Sequence, residues 1–338
     1  MAQFSRTLVI GATGFIGRYV AEASVAAGDT TYVLVRSPFT KCLSKAMTIR
    51  SLQDRGATVV VGSINDGEFL VKTLRELKID TVVSAVGGGG ILDQLVLVDS
   101  MKILGTVKRF LPSEFGHDVD RANPVEPGLG MYKEKRRVRR AVEAAGIPFT
   151  YVCCNSIAAW PYYDNTHPAD VLPPLDRFQI YGDGNVKAYF VDGTDIGKLT
   201  IRAAKDPRAL NKCLHFRPPT NYFTINELAS LWEEKIGRIL PRITVTEEDL
   251  LAAAQENVIP ESIVAALTHD IFIKGCQTSL SMDETRDAEV SLLYPDVSFR
   301  TLAECFDDYL VKHRDESVDM ISNPNSIIEP FAITATCG

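Results

Sequence analysis

Along the first 155 residues, short apolar runs rich in β-branched side chains alternate with longer stretches of helical spacing. The runs at 7–10, 31–35, 58–61, 81–84, 109–111 and 149–152 predict six strands. Phe15 to Ala27 and the stretches near 43–55, 66–77, 91–105 and 130–145 predict the helices between them. Strands this apolar need cover on both faces, so the expected fold class is α/β, a doubly wound parallel sheet. In such sheets ligands sit outside the C-terminal strand ends. Chemistry is therefore sought just after each strand.

From Trp160 the pattern changes, with Pro161, Pro168, Pro173 and Pro174 interrupting it. Short strands at 178–181, 187–191 and 214–217 then alternate with helices near 194–205, 224–236, 247–256 and 260–268. These predict a smaller, mainly helical C-terminal portion lying over the strand ends. The expected division is a sheet domain over 1–155, with about 178–205 returning to it, a second portion over 156–315, and a tail over 316–338.

The 338 residues are 46% hydrophobic and 23% charged, a globular balance rather than a disordered one. The net charge of −7 has no basic block of the kind that nucleic-acid phosphates reward, so no nucleic-acid partner is expected. No apolar run reaches the roughly 18 residues of a membrane span. The seven cysteines are odd in number and lack paired metal-ligand spacing, and Cys153 and Cys154 are adjacent. This usage predicts a reduced, cytoplasmic protein with no metal site. Nothing in the chain specifies an oligomeric state, and a monomer is one option.

Gly11-Ala12-Thr13-Gly14-Phe15-Ile16-Gly17 follows the first strand and opens the first helix. In that context the glycines allow a tight turn and close backbone approach to a pyrophosphate at a helix N-terminus. A ligand-free glycine turn is the plainer alternative. At the end of the second strand, where an acid would bind a ribose 2′-hydroxyl, the chain has Arg36, followed by Ser37, Lys41 and Lys45. A guanidinium suits a 2′-phosphate, so the cofactor predicted is NADPH. Ser84-Ala85-Val86 and Gly87 to Gly90 close the fourth strand and supply small residues beside the same site.

The helix near 130–145 carries a basic run that a solvated face would explain. Helical phase separates one member: Met131, Lys135, Val138 and Val142 fall at i, i+4, i+7 and i+11. A lysine on an apolar stripe loses hydration, which lowers its pKa toward that of a general base. A snorkelling side chain is the alternative. Arg139 lies one turn on, within reach of a cofactor. Of five histidines, His117 stands just past the fifth strand in Leu111-Pro112-Ser113-Glu114-Phe115-Gly116-His117-Asp118. Cys153-Cys154-Asn155-Ser156 ends the sixth strand and leads to Trp160, Tyr162 and Tyr163, which could line a pocket for a flat molecule.

Taken together, these segments resemble the isoflavone reductase-like, or NmrA-like, group of atypical short-chain dehydrogenases. Within it the chain is most similar to the plant leucoanthocyanidin reductases, over about residues 6–313. Residues 109–116 are shared with the whole group. Cys153 to Ala158, Thr268 to Gly275 and the long C-terminal extension look specific to that branch. The resemblance implies a Rossmann-type NADPH domain with a smaller substrate domain, and Lys135 as essential base with His117 as its partner at the substrate. It implies 2′-phosphate contacts from Arg36 and Lys45 and further cofactor contacts from Lys135 and Arg139, with Asn155 joining Ser84 and Val86. Met131, Tyr132, Ser156 and His269 join His117 on the flavonoid substrate side. Ordinary short-chain dehydrogenases use Tyr-x-x-x-Lys, whereas Tyr132 here is followed four places on by Arg136. A tyrosine-based alcohol–ketone mechanism is thus not expected.

The activity so implied converts flavan-3,4-diols to 2,3-trans flavan-3-ols. Lys135 removes the proton of the ring hydroxyl para to C4, directly or through water, the C4 oxygen leaves with help from a His117 proton, and the quinone methide takes hydride at C4. Two alternatives stand beside it: an isoflavone or benzylic ether reductase of the same group, and a non-catalytic NADP-sensing regulator.

Overall fold

The computed structural model describes residues 5–36, 42–158 and 176–311. The 316–338 tail, Ser37, Lys41, the 159–175 segment with Trp160, Tyr162 and Tyr163, and His313 lie outside the described residues. In the first half, β1 (Arg6–Ile10), α1 (Phe15–Ala26), β2 (Thr30–Val35), α2 (Leu43–Asp54), β3 (Thr58–Val61) and α3 (Gly67–Glu76) come first. They are followed by β4 (Thr81–Ser84), α4 (Gln94–Leu104), β5 (Arg109–Leu111), α5 (Gly128–Ala144) and β6 (Thr150–Cys153). The second half holds β7 (Ser156–Ile157), β8 (Phe178–Tyr181), β9 (Lys187–Val191), α6 (Gly193–Lys205), β10 (Lys212–His215) and β11 (Tyr222–Thr224). It goes on with α7 (Ile225–Ile236), β12 (Arg242–Val245), α8 (Glu247–Gln255), α9 (Glu261–Phe272), β13 (Asp287–Glu289) and α10 (Val290–Leu293), and a helical stretch over 302–311 closes the described residues.

Five parallel strands run in the order β3-β2-β1-β4-β5. Alternate residues face opposite layers, which is why these strands are apolar throughout. Leu8, Ile10, Leu34, Val82 and Phe110 pack with Leu70, Leu97 and Val138 on one side. Val9, Val33, Val83 and Leu111 pack with Val20, Leu52, Ile196 and Leu199 on the other. Each such buried side chain contributes about 1.5–3 kcal/mol, and a one-residue slip would exchange the two faces. The register aligns the strand ends: Ile10 stands opposite both Leu34 and Ser84, and Val83 opposite Leu111. The segments after β1, β2, β4 and β5 therefore meet at one edge.

The return of the second half to the sheet is wider than 178–205. Helix α6 does pack on α1, but β8 pairs with β12, and β9 with β7 and β11. The strands that extend the sheet beyond β6 are β10 and β13. A bridge from Phe110 to Phe149 joins this extension to β5. β10 also begins two residues before the 214–217 expected, because its pairing with Thr150 to Cys153 sets where it starts. Phe178, Ile180, Ala188, Phe190, Trp232 and Phe306 form a separate core in the C-terminal layer. Among the described residues, no helix is long and apolar enough to cross a membrane.

Candidate active site

The glycine turn is shaped for close approach. Gly11 has φ +83°, and a Cβ there would lie 2.3 Å from the Ala85 carbonyl oxygen. A Cβ on Gly17 would lie 2.0 Å from the Gly11 oxygen, so α1 can begin where it does only with glycine. Gly14 caps α1 with extended backbone, no side-chain cap and no acid in the first turn. That leaves the helix end open to an anion. Gly87, Gly88 and Gly89 have open space where a side chain would stand. Ser84 is buried with its hydroxyl unpartnered, and the Val86 carbonyl is held by the Ser113 hydroxyl at 2.7 Å. Arg36 is exposed at the end of β2, and Lys45 is half-buried on α2. Ala12 is buried beneath the turn, while Thr13, Phe15 and Ile16 are half-buried in the turn and at the start of α1. These features fit a dinucleotide carrying a 2′-phosphate.

Lys135 projects from α5 toward the loop after β5, half-buried, and its Nζ donates to the Glu114 carbonyl oxygen at 2.7 Å. Burial lowers its pKa; Glu114 opposes that shift and Arg139 adds to it. The bonded acceptor is a neutral carbonyl, which favours the ammonium less than a carboxylate would. His117 is buried on the same loop, with Nδ1 2.6 Å from the Tyr132 hydroxyl. Burial, helped by the Lys135 charge, pushes the His117 pKa down to about 4. Burial also pushes the Tyr132 phenol well up, so it keeps its proton.

The depressed His117 value has a consequence for stability. Between roughly pH 6.5 and 4 the unfolded chain binds a proton at this residue that the folded chain does not. Stability should therefore fall as pH drops through that window, by roughly 3 kcal/mol from this residue at its limit. Urea unfolding at stepped pH should show a shallower dependence for His117→Gln than for the wild type. An unchanged slope would mean that His117 is not buried neutral.

Several expected contacts are not made. Arg139 does not reach toward a cofactor: it has no exposed surface, and Nε and Nη2 grip the Glu114 carboxylate at 3.1 and 2.9 Å. Its Nη1 pairs with Asp118 at 2.7 Å and Asp120 at 3.1 Å. With its donors facing three carboxylates, it holds the β5 loop together from beneath. His269 lies in α9, and its Nε2 is engaged at 2.9 Å by Glu247 of α8. The Asn155 amide nitrogen goes to the Phe216 carbonyl at 2.8 Å, and its backbone, at φ +60°, turns the chain from β6 into β7. One hydrogen of the amide is thereby used within the protein. Met131 is half-buried against Val119, Ala122 and Tyr132.

One site residue was not foreseen. Gln277 is buried, and its amide nitrogen donates to His117 Nε2 at 3.0 Å and to the Ser156 hydroxyl at 2.7 Å. It follows directly on the 268–275 segment, but nothing in its type or spacing marked it. The polarity removes the acid role expected for His117. Nε2 accepts from Gln277 and so carries no proton, and the one ring proton sits on Nδ1, facing Tyr132. Nearby, Asp118, His215 and Asp287 bring ligand-type atoms within 4.8 Å of one another. Arg121 bridges Asp118 and Asp287 at 3.3 and 2.7 Å, so this cluster is already charge-compensated by side chains.

A doubly wound parallel sheet with this glycine turn, Arg36 at its rim and Lys135 over the strand ends defines a Rossmann-type dinucleotide-binding reductase fold. The chain belongs to the NmrA-like family, whose model matches residues 3–306. It is 60% identical over 312 residues to a leucoanthocyanidin reductase of Desmodium uncinatum, covering 92% of this chain and 81% of that one. A phenylcoumaran benzylic ether reductase of Ginkgo biloba is 45% identical over 306 residues, covering 90% and 99%. Among solved structures, the binary complex of leucoanthocyanidin reductase with NADPH from Vitis vinifera matches with a TM-score of 0.86 at 63% identity. That match covers 90% of this chain and 99% of the other.

Proposed function

We propose that this chain is an NADPH-dependent reductase that removes the C4 hydroxyl of flavan-3,4-diols and yields 2,3-trans flavan-3-ols of the catechin type. The observation that carries the reading is Lys135: a half-buried lysine of lowered pKa, bonded to a carbonyl, at the strand-end edge beside the glycine turn. Such a group can accept a proton near neutral pH. The 45% identical benzylic ether reductase gives the second reading, the same chemistry on a related benzylic substrate. A non-catalytic NADP sensor would need the turn and Arg36 but has no use for this lysine.

Gly11 to Gly17 and the Ser84–Val86 backbone would hold the pyrophosphate and nicotinamide portions, and Arg36 with Lys45 the 2′-phosphate. The cofactor supplies the hydride that ends on C4. Lys135 takes the proton from the ring hydroxyl para to C4, and the phenolate so formed expels the C4 oxygen as hydroxide, which solvent protonates. This leaves a quinone methide that is electrophilic at C4. After reduction the ring oxygen is a phenolate again and takes its proton back from Lys135. Ser156 and Tyr132 offer their hydroxyls to the substrate, and His117, with Nδ1 engaged by Tyr132 and Nε2 by Gln277, holds that wall of the site in place. A cytoplasmic setting belongs to the same reading, supported by described cysteines that hold no disulfide.

The test is single-turnover NADPH oxidation with a flavan-3,4-diol, the product being identified by mass and chirality. Turnover only with an isoflavone or a benzylic ether would favour the second reading, and binding without turnover of any of them the sensor. Cofactor choice has its own check. Arg36→Glu should raise Kd for NADPH by about tenfold or more and leave NADH nearly unchanged, because it sets a carboxylate against the 2′-phosphate. A change below about twofold would remove Arg36 as the selector.

A further inference from the structure

We propose that Gln277 is a positioning residue of this site: its side-chain amide fixes which nitrogen of His117 bears the proton and makes Nε2 an acceptor. The argument rests on polarity. The backbone N–H of Tyr189 in β9 donates to Gln277 Oε1 at 2.8 Å. A backbone N–H can only donate, so that atom must be the amide oxygen and the other the NH₂ group. The NH₂ then has two hydrogens and two partners, His117 Nε2 at 3.0 Å and Ser156 Oγ at 2.7 Å. A nitrogen that accepts a hydrogen bond holds no proton. His117 is therefore the Nδ1–H tautomer, donating to the Tyr132 oxygen. By occupying a lone pair on Ser156, the same amide leaves the serine hydroxyl hydrogen for a ligand. Strand β9 thus dictates the protonation pattern of a residue on the β5 loop through one buried side chain.

The groups around the ring agree with a neutral His117. Lys135 and Tyr132 approach from α5. Asp118 and Arg121 of its own loop, His215 and Arg217 at the end of β10, and Cys276 line the cavity with it. The Asp118 carboxylate is taken by Arg139 and Arg121, so no free anion draws a second proton to the imidazole.

The experiment uses the full chain loaded with NADPH and labelled with ¹⁵N-histidine. The His117 resonances are identified by their loss in His117→Gln. The expected wild-type spectrum shows the Nδ1–H tautomer from pH 5 to 9. Gln277→Glu replaces the donor with an acceptor, so the proton should move to Nε2 and the His117 pKa should rise by about one unit or more. The acid limb of kcat/KM should rise with it, while Kd for NADPH stays within about twofold. Gln277→Leu should lose the single tautomer without gaining a raised pKa. An Nε2–H tautomer in the wild type, or a Gln277→Glu protein with unmoved tautomer and pH profile, overturns the proposal. Should Gln277→Glu fail to fold, the wild-type spectrum decides alone. The inference builds on His117 as an active-site residue, but the tautomer is read without turnover. A correct tautomer with no flavan-3,4-diol activity would sink the functional reading and leave the positioning role standing.

Discussion

Lys135→Ala is expected to lower kcat by roughly 10²–10⁴-fold, the usual worth of a general base, with Kd for NADPH within about twofold of wild type. The lysine touches the Glu114 carbonyl, while the glycine turn and Arg36 would still hold the cofactor in its absence. Lys135→Arg should fail as well, because a guanidinium stays protonated and cannot take the proton of the ring hydroxyl. A substrate with a thioether in place of the C4 hydroxyl sharpens the assignment, since that leaving group needs no proton. It should rescue neither Lys135→Ala, which lacks the base, nor His117→Ala, which lacks the ring that orders Tyr132 and Gln277 rather than an acid. Near-normal turnover by Lys135→Arg would remove the base role, and thioether rescue of His117→Ala would restore the acid role.

The second large effect is on stability. Arg139→Ala should destabilise the protein by about 3–5 kcal/mol, because it strands buried carboxylates that have no other cation of equal reach. Glu114 is almost as buried as Arg139 itself, and Asp118 keeps only the 3.3 Å contact to Arg121. Arg140→Ala is the control: its side chain is exposed, pairs with Asp120 and Glu143 at the surface, and should cost no more than about 1 kcal/mol. Paired urea unfolding curves compare the two. If the costs were equal, the network beneath the β5 loop would not be holding that loop. Where Arg139→Ala still folds, unchanged NADPH affinity would also separate it from a cofactor-contacting arginine.

The order of elements was legible because it is written in local pattern. Runs of β-branched residues at 7–10, 31–35 and 81–84 cannot be solvated on either face, and the helical periods between them leave a parallel sheet as the way to bury them. The same locality made the cofactor turn legible, since Gly11, Gly14 and Gly17 act within one strand–helix junction and Arg36 ends the next strand. Lys135 was found by phase along a single helix. What the chain could not declare is every feature that depends on a distant partner. β13 has the sequence Asp-Ala-Glu and becomes a strand only because β10 lies beside it. Arg139 sits one turn from Lys135 on the same helix, yet three carboxylates from the β5 loop, not helical phase, turn it inward. His269 falls in a segment resembling a branch signature and is turned to Glu247 by the packing of α8 on α9. The protonation of His117 is the furthest from local pattern. It is decided by Gln277, 160 residues away in sequence, whose own orientation is set by a backbone N–H in β9. Periodicity records what each residue must bury, whereas hydrogen-bond polarity is settled only when distant donors and acceptors meet.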